Sequence, residues 1–119
     1  MKYTQDHEWL RVEGDLIVVG ITEHAATQLG DVVFVELPEV EAMVGEGDEV
    51  VVIESVKAAS DILAPVDGEI VEVNDKLTDK PGLVNDDPLG AGWFFKMKVD
   101  DMSVIDQFMD EDEYMDMIG

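Results

Sequence analysis

Apolar residues recur along this chain in short bursts rich in β-branched side chains, separated by turn residues. Trp9-Leu10-Arg11-Val12 and Leu16-Ile17-Val18-Val19 flank Glu13-Gly14-Asp15, which predicts two strands and a turn. Thr22 is placed to cap a helix over Glu23 to Leu29, and Gly30 to stop it. Asp31 to Leu37 predicts another strand, closed by Pro38, and Glu39 to Asp48 is an acidic turn region. Glu49 to Ile53 and Ile62 to Val66 predict strands on either side of Glu54-Ser55-Val56-Lys57-Ala58-Ala59-Ser60-Asp61. After a bend at Pro65 to Gly68, Glu69 to Val73 is again a strand. Asn74 to Gly92 is dense in turn residues and reads as an ordered loop with a brief helical turn, and Trp93 to Val99 alternates as a strand. Many short strands with turns between them fit an all-β, barrel-like sandwich with one short internal helix.

The pattern changes at Asp100. Val104, Ile105, Phe108, Met109, Met115 and Ile118 recur at roughly helical spacing, and Ser103 with Asp106 suggests a capping box. One amphipathic C-terminal helix over about 103–117 is expected, following a core of about 1–100, with residues 1–119 forming one domain. Its Met and Phe stripe is assigned to packing.

Charge narrows the partners. Seven basic and 29 acidic residues leave a net charge of −22 over 119 residues. Such a field repels phosphate backbones and anionic lipid surfaces, so neither nucleic acid nor membrane is an expected partner, and proteins with basic patches are. The longest apolar run, Leu16 to Ile21, is far too short to span a bilayer. Acidic residues from Asp6 to Asp15 argue against a signal or transit peptide, so a soluble intracellular chain or an already cleaved mature form is expected.

No cysteine is present, which removes disulfides, thiolate metal sites and cysteine nucleophiles. His7 and His24 lack ligand-spaced companions, so no zinc site is expected. There is no phosphate-binding glycine loop and no serine nucleophile elbow. A catalytic constellation is absent from the sequence, and the chain is expected not to be an enzyme.

Lys57 stands apart from the other six basic residues, because it alone lies at a predicted hairpin tip between two apolar strands. A tip lysine flanked by valine and alanine can be reached from several sides, as a covalently modified carrier lysine must be. The flanks echo each other: Gly47-Asp48-Glu49-Val50-Val51-Val52-Ile53-Glu54 resembles Asp67-Gly68-Glu69-Ile70-Val71-Glu72-Val73-Asn74.

The lysine segment, with Ala64-Pro65-Val66-Asp67-Gly68-Glu69 after it, resembles the lipoyl-lysine segment of glycine cleavage system H proteins. The resemblance continues through His7-Glu8-Trp9, Val19-Gly20-Ile21-Thr22, Leu29 to Pro38, Leu83-Val84-Asn85 and Gly92-Trp93. It implies a barrel-sandwich hybrid of the lipoyl/biotinyl type and lipoate attached covalently to Lys57. It further implies an aminomethyl shuttle from a pyridoxal-phosphate glycine decarboxylase (P protein) to a tetrahydrofolate-dependent aminomethyltransferase (T protein). Reoxidation would fall to dihydrolipoamide dehydrogenase (L protein), and attachment to a lipoate ligase or a lipoyl or octanoyl transferase.

Within that resemblance, Glu8 and Asp61 are the candidate partners for an ammonium on the folded-back arm, Ile21 a candidate wall for its methylenes, and Glu54 a candidate for presentation to the ligase. The expected state is a monomer, cytoplasmic in a bacterium or in the mitochondrial matrix as a mature organellar form. Departures from the family pattern stand at Glu41, where glycine is common, Ala26, where glutamine is usual, and Leu63 and Leu89, where tyrosine is frequent. Two other readings are an H-like protein relaying lipoate to other enzymes and an unmodified acidic interaction module. A biotinyl carrier would carry methionines in place of Val56 and Ala58.

Overall fold

The computed structural model describes residues 1–119. In chain order the elements are β1 (Lys2–Tyr3), β2 (Glu8–Glu13), β3 (Leu16–Ile21), α1 (Glu23–Leu29), β4 (Val32–Glu36), β5 (Met43–Val44), β6 (Glu49–Ser55) and β7 (Ala59–Leu63). They continue as β8 (Gly68–Val73), α2 (Lys76–Asp79), α3 (Leu83–Asp86), β9 (Phe95–Lys98), a 3-10 segment at Met102–Gln107 and α4 (Glu111–Ile118). A six-stranded antiparallel sheet runs in the order β1-β2-β3-β9-β8-β5, and a three-stranded one in the order β4-β6-β7.

Both sheets feed one apolar core: Leu10, Ile17 and Val19 enter from the larger sheet, Val35, Val51 and Ile53 from the smaller. The unbroken apolar run of β3 has a tertiary reason. Ile17, Val19 and Ile21 point into that core, while Val18 points the other way into a second cluster with Tyr3, Trp9 and Tyr114. Trp9 is fully buried there and its indole N–H donates to the Pro88 carbonyl at 2.8 Å. It pairs across the sheet with Gly20, where a Cβ would approach the ring to 2.5 Å, so only glycine leaves room for the indole.

The predicted helix α1 forms over Glu23–Leu29, with the Thr22 hydroxyl accepting from Ala25 N–H at 3.3 Å. Three expectations need correction. The return strand occupies Ala59–Leu63, not residues 62 to 66, because Ser55 closes the turn early: its Oγ accepts from the N–H groups of Lys57 and Ala58, and its own N–H donates to Ala58 O. The stretch from Asn74 to Gly92 holds two one-turn helices, anchored by buried Leu77 and Val84.

The tail, thirdly, is not one helix over 103–117. Asp101 caps the 3-10 segment by accepting from Ser103 N–H, Phe108 turns to extended backbone, and Met109 exchanges two backbone hydrogen bonds with Tyr3 of β1. A new helix then starts at Asp110, whose side chain forms a reciprocal capping box with Glu113. Aspartates at 101 and 110 are strong caps, and Glu111, Asp112 and Glu113 suit a helix N-terminus, so two starts outcompete one long helix. No helix is long and apolar enough to cross a membrane.

Candidate functional site

The hairpin of β6 and β7 carries Lys57 on the exposed turn from Ser55 to Ala58. Beneath it lies the corner between α1 and β4. Val56 N–H donates to Asp31 O at 3.0 Å, tying the tip to that corner. Asn85 clamps the corner in turn, its Nδ2 donating to Gly30 O at 2.7 Å and its Oδ1 accepting from Val32 N–H at 2.9 Å. Gly30 has a φ of +74°, and a Cβ there would sit 3.2 Å from Lys57 Cε. The lysine stem therefore lies along the C-terminal end of α1, where a helix favours positive charge.

A cavity of about 440 Å³ opens at the other end of β7, lined by Thr4, Asp6, Glu8, Leu63, Ala64, Pro65, Phe108 and Met109 among others. Glu8 is built into its wall. The loop before β2 turns through His7, at a φ of +67°, and the Thr4 hydroxyl accepts from the N–H groups of Asp6 and Glu8 at 3.2 Å each. The Glu8 carboxyl then accepts from Leu63 N–H at 3.0 Å and from the Thr4 hydroxyl at 3.4 Å. It is 2 % exposed. Burial pushes it up to about 8, helped by the charge of nearby Asp6 and opposed by the two hydrogen bonds. This shift favours the protonated carboxyl near neutral pH, whereas a cation beside it would favour the ionised form.

The site thus sets an exposed lysine on a hairpin tip one strand length from an acid-bearing cavity. The family model for the glycine cleavage H-protein matches residues 1–119. The chain belongs to the glycine cleavage H-protein family. It is 53% identical over 118 residues to the glycine cleavage system H protein of Xanthobacter autotrophicus, covering 99% of this chain and 94% of the relative. It is 56% identical over 114 residues to that of Methylocella silvestris, covering 96% and 91%. The crystal structure of a glycine cleavage system H protein from Mycobacterium marinum superposes with a TM-score of 0.89 at 40% identity, over 99% of this chain and 95% of that one. The fold is thus the lipoyl-domain barrel-sandwich, and membership in the H-protein family implies a lipoyl carrier role in the glycine cleavage system.

In this H-protein family member the residues singled out from sequence fall in different places. Glu8 lines the cavity; Asp61 and Ile21 do not. Asp61 is exposed on the outward face of β7, between the tip and Leu63, opposite Val52. Ile21 is 2 % exposed and packs in the core beside Glu8, its partner across β2 and β3. Glu54 is exposed on β6, opposite Phe34 on one side and Ala59 on the other.

Asp6 and Asn85 acquire roles no spacing rule assigns them. Asp6 raises the proton affinity of Glu8, and Asn85 holds the corner under Lys57; its place in Leu83-Val84-Asn85 was the available signal. The two histidines, distant in sequence, also meet: their rings lie 4.8 Å apart. His7 Nδ1 lies 2.9 Å from the Tyr114 hydroxyl, which is 2.7 Å from the helix-capping Thr22 Oγ1. Burial, then the neighbouring His24, holds the His7 imidazole below its usual value. No cluster of three or more metal-ligating side chains is present.

Proposed function

We propose that Lys57 carries a covalently attached lipoyl group and that residues 1–119 act as one non-catalytic, monomeric carrier domain of the glycine cleavage system. The carrier takes an aminomethyl group from the pyridoxal-phosphate glycine decarboxylase to the tetrahydrofolate-dependent aminomethyltransferase. It takes reducing equivalents to dihydrolipoamide dehydrogenase, in the cytoplasm of a bacterial cell. The observation that carries this reading is the exposed amine of Lys57 on a clamped hairpin tip.

The residues fit such a group. The amine is free to form an amide, and the cavity at the far end of β7 has a volume within the usual range for small-molecule sites. Leu63 lies four residues beyond Ala59, about 13 Å at the usual rise of a strand, a span suited to a lysine lengthened by an acyl chain. The group, when attached, supplies thiol–disulfide chemistry that a chain without cysteine cannot.

The chain supplies position and shelter. Ser55 and Asn85 hold the tip; Ala64, Pro65, Phe108 and Met109 supply apolar wall to a cavity that is otherwise largely polar; Glu8, with Asp6 beside it, offers a carboxyl that ionises when an ammonium arrives. Asp61 lies along β7 on the route between tip and cavity, and Ile21 packs beside Glu8 at the edge of the core. Incubating the full chain with a lipoate ligase, ATP and lipoate, followed by peptide mapping, should place the added mass on Lys57 alone. Lys57→Arg keeps charge and approximate length but forms no such amide, so it should fold normally, gain no mass and support no aminomethyl transfer. Mass on another lysine, or transfer by the variant, would refute the assignment.

A further inference from the structure

We propose that the outward face of β4 and β6 beside Lys57 is the docking surface for the enzyme that acylates this lysine, a partner with an apolar patch rimmed by lysine and arginine. The inference rests on the reading of Lys57 as the acylated residue. In a regular strand, consecutive side chains alternate between faces. The register of β4 against β6 slips between Val32, opposite Ser55, and Phe34, opposite Glu54, so Val33 is an extra residue in the ladder. The result is two adjacent apolar side chains turned to solvent, Val33 at 54% and Phe34 at 47% exposure.

Val56, beside the lysine, is 66% exposed and is tied through its N–H to Asp31, one residue before β4. Phe34, Glu54 and Ala59 form one row across the small sheet's outer face, and Glu36, Val52 and Asp61 the next. The exposed apolar side chains of this face therefore lie within about one ladder position of the turn that carries Lys57, and the exposed charges of the face are Asp31, Glu36, Glu49, Glu54 and Asp61, with Lys57 the single exception. An apolar patch kept open beside a reactive amine marks an interaction surface, and the acid rim sets the sign of its partner.

Geometry also selects which partner. Acylation requires the Lys57 amine, once deprotonated, to attack the carbonyl of an activated acyl donor; an amide forms and the donor's phosphate or thiolate leaving group departs. At that moment no arm extends the lysine, so the enzyme must bring its own active site against the tip and cover what surrounds it. Enzymes acting later meet the far end of the arm and need not touch β4.

The test measures kcat/KM for acylation of the full-length unmodified chain by a lipoate ligase, comparing wild type with V33T/F34S and, separately, with Val56→Ser in the turn. Each variant should lose about tenfold or more, carried mainly by KM, as for truncation of an anchoring aromatic or aliphatic group. Reaction of Lys57 with the small reagent acetic N-hydroxysuccinimide ester should stay within about twofold, since the amine itself is untouched. After acylation, reduction by dihydrolipoamide dehydrogenase should also keep the wild-type rate. Ligase rates within about twofold of wild type overturn the docking surface while leaving the carrier reading standing. A parallel loss with the small reagent shows altered tip conformation instead of docking, and a parallel loss with the dehydrogenase removes the assignment to the acylating enzyme; either overturns the proposal. A wild-type chain that is not acylated at Lys57 overturns both readings.

Discussion

Glu8→Gln isolates the cost of holding a carboxyl in the cavity wall. Glutamine keeps the shape, can accept from Leu63 N–H in place of the carboxyl and cannot ionise, so the substitution removes the titration and little else. In the unfolded chain the carboxyl releases its proton near 4.5, whereas in the fold it holds on to about 8. Between those values the folded state binds more protons than the unfolded one, so this group makes stability fall as pH rises from about 4.5 to about 8 and level off above. At 2 % exposure the carboxyl is not relieved by solvent. With roughly 1.4 kcal/mol per decade of proton affinity, the loss across the window is on the order of 3 to 5 kcal/mol.

His7 acts in the opposite direction, since its lowered proton affinity costs stability as pH falls through its ordinary value of 6.5 and below. It is common to both proteins and cancels in the difference. Urea unfolding of wild type and Glu8→Gln at intervals from pH 5 to 9 should show the variant gaining on wild type progressively, by several kcal/mol at the alkaline end. A difference that stays flat would refute the reasoning, because Glu8 would then ionise in the fold as readily as in water.

Glu41, an exposed residue at a φ of +76°, should be stabilised by glycine by up to about 1 kcal/mol, since relief of left-handed strain outweighs glycine's extra freedom when unfolded; a lower urea midpoint would contradict this. Gly20→Ala should destabilise by about 1 to 3 kcal/mol, because the new methyl meets the immobile Trp9 ring, and an unchanged midpoint would mean that the sheet relaxes freely. With a net charge of −22 and Lys96 the one basic residue in ion pairs, raising sodium chloride from about 0.02 to 0.2 M should raise the melting temperature by screening self-repulsion. A falling melting temperature would show that attractive pairs outweigh repulsion.

Local physics made much of this protein legible before folding. Alternation and β-branching mark strands wherever one face is buried, and Thr22 and Gly30 bound α1 by chemistry that needs no tertiary partner. The ordered agreement of motifs along the chain pointed to the family that the full-length match shows. Other features depend on which residues meet. The tail breaks at Phe108 because Met109 finds the edge of β1, a partner more than a hundred residues away that no helical spacing records. Glu8 holds on to its proton because the closed fold buries it, with Asp6 adding to the effect and the bonds from Leu63 and Thr4 only partly offsetting it; in the sequence it is one acid among 29. Asp61, equally plausible on paper, faces outward because a strand alternates its side chains and Ile62 takes the core side. Periodicity and caps are encoded in neighbours along the chain, whereas burial, proton affinity and the pairing of distant edges exist only once the two sheets have closed on each other.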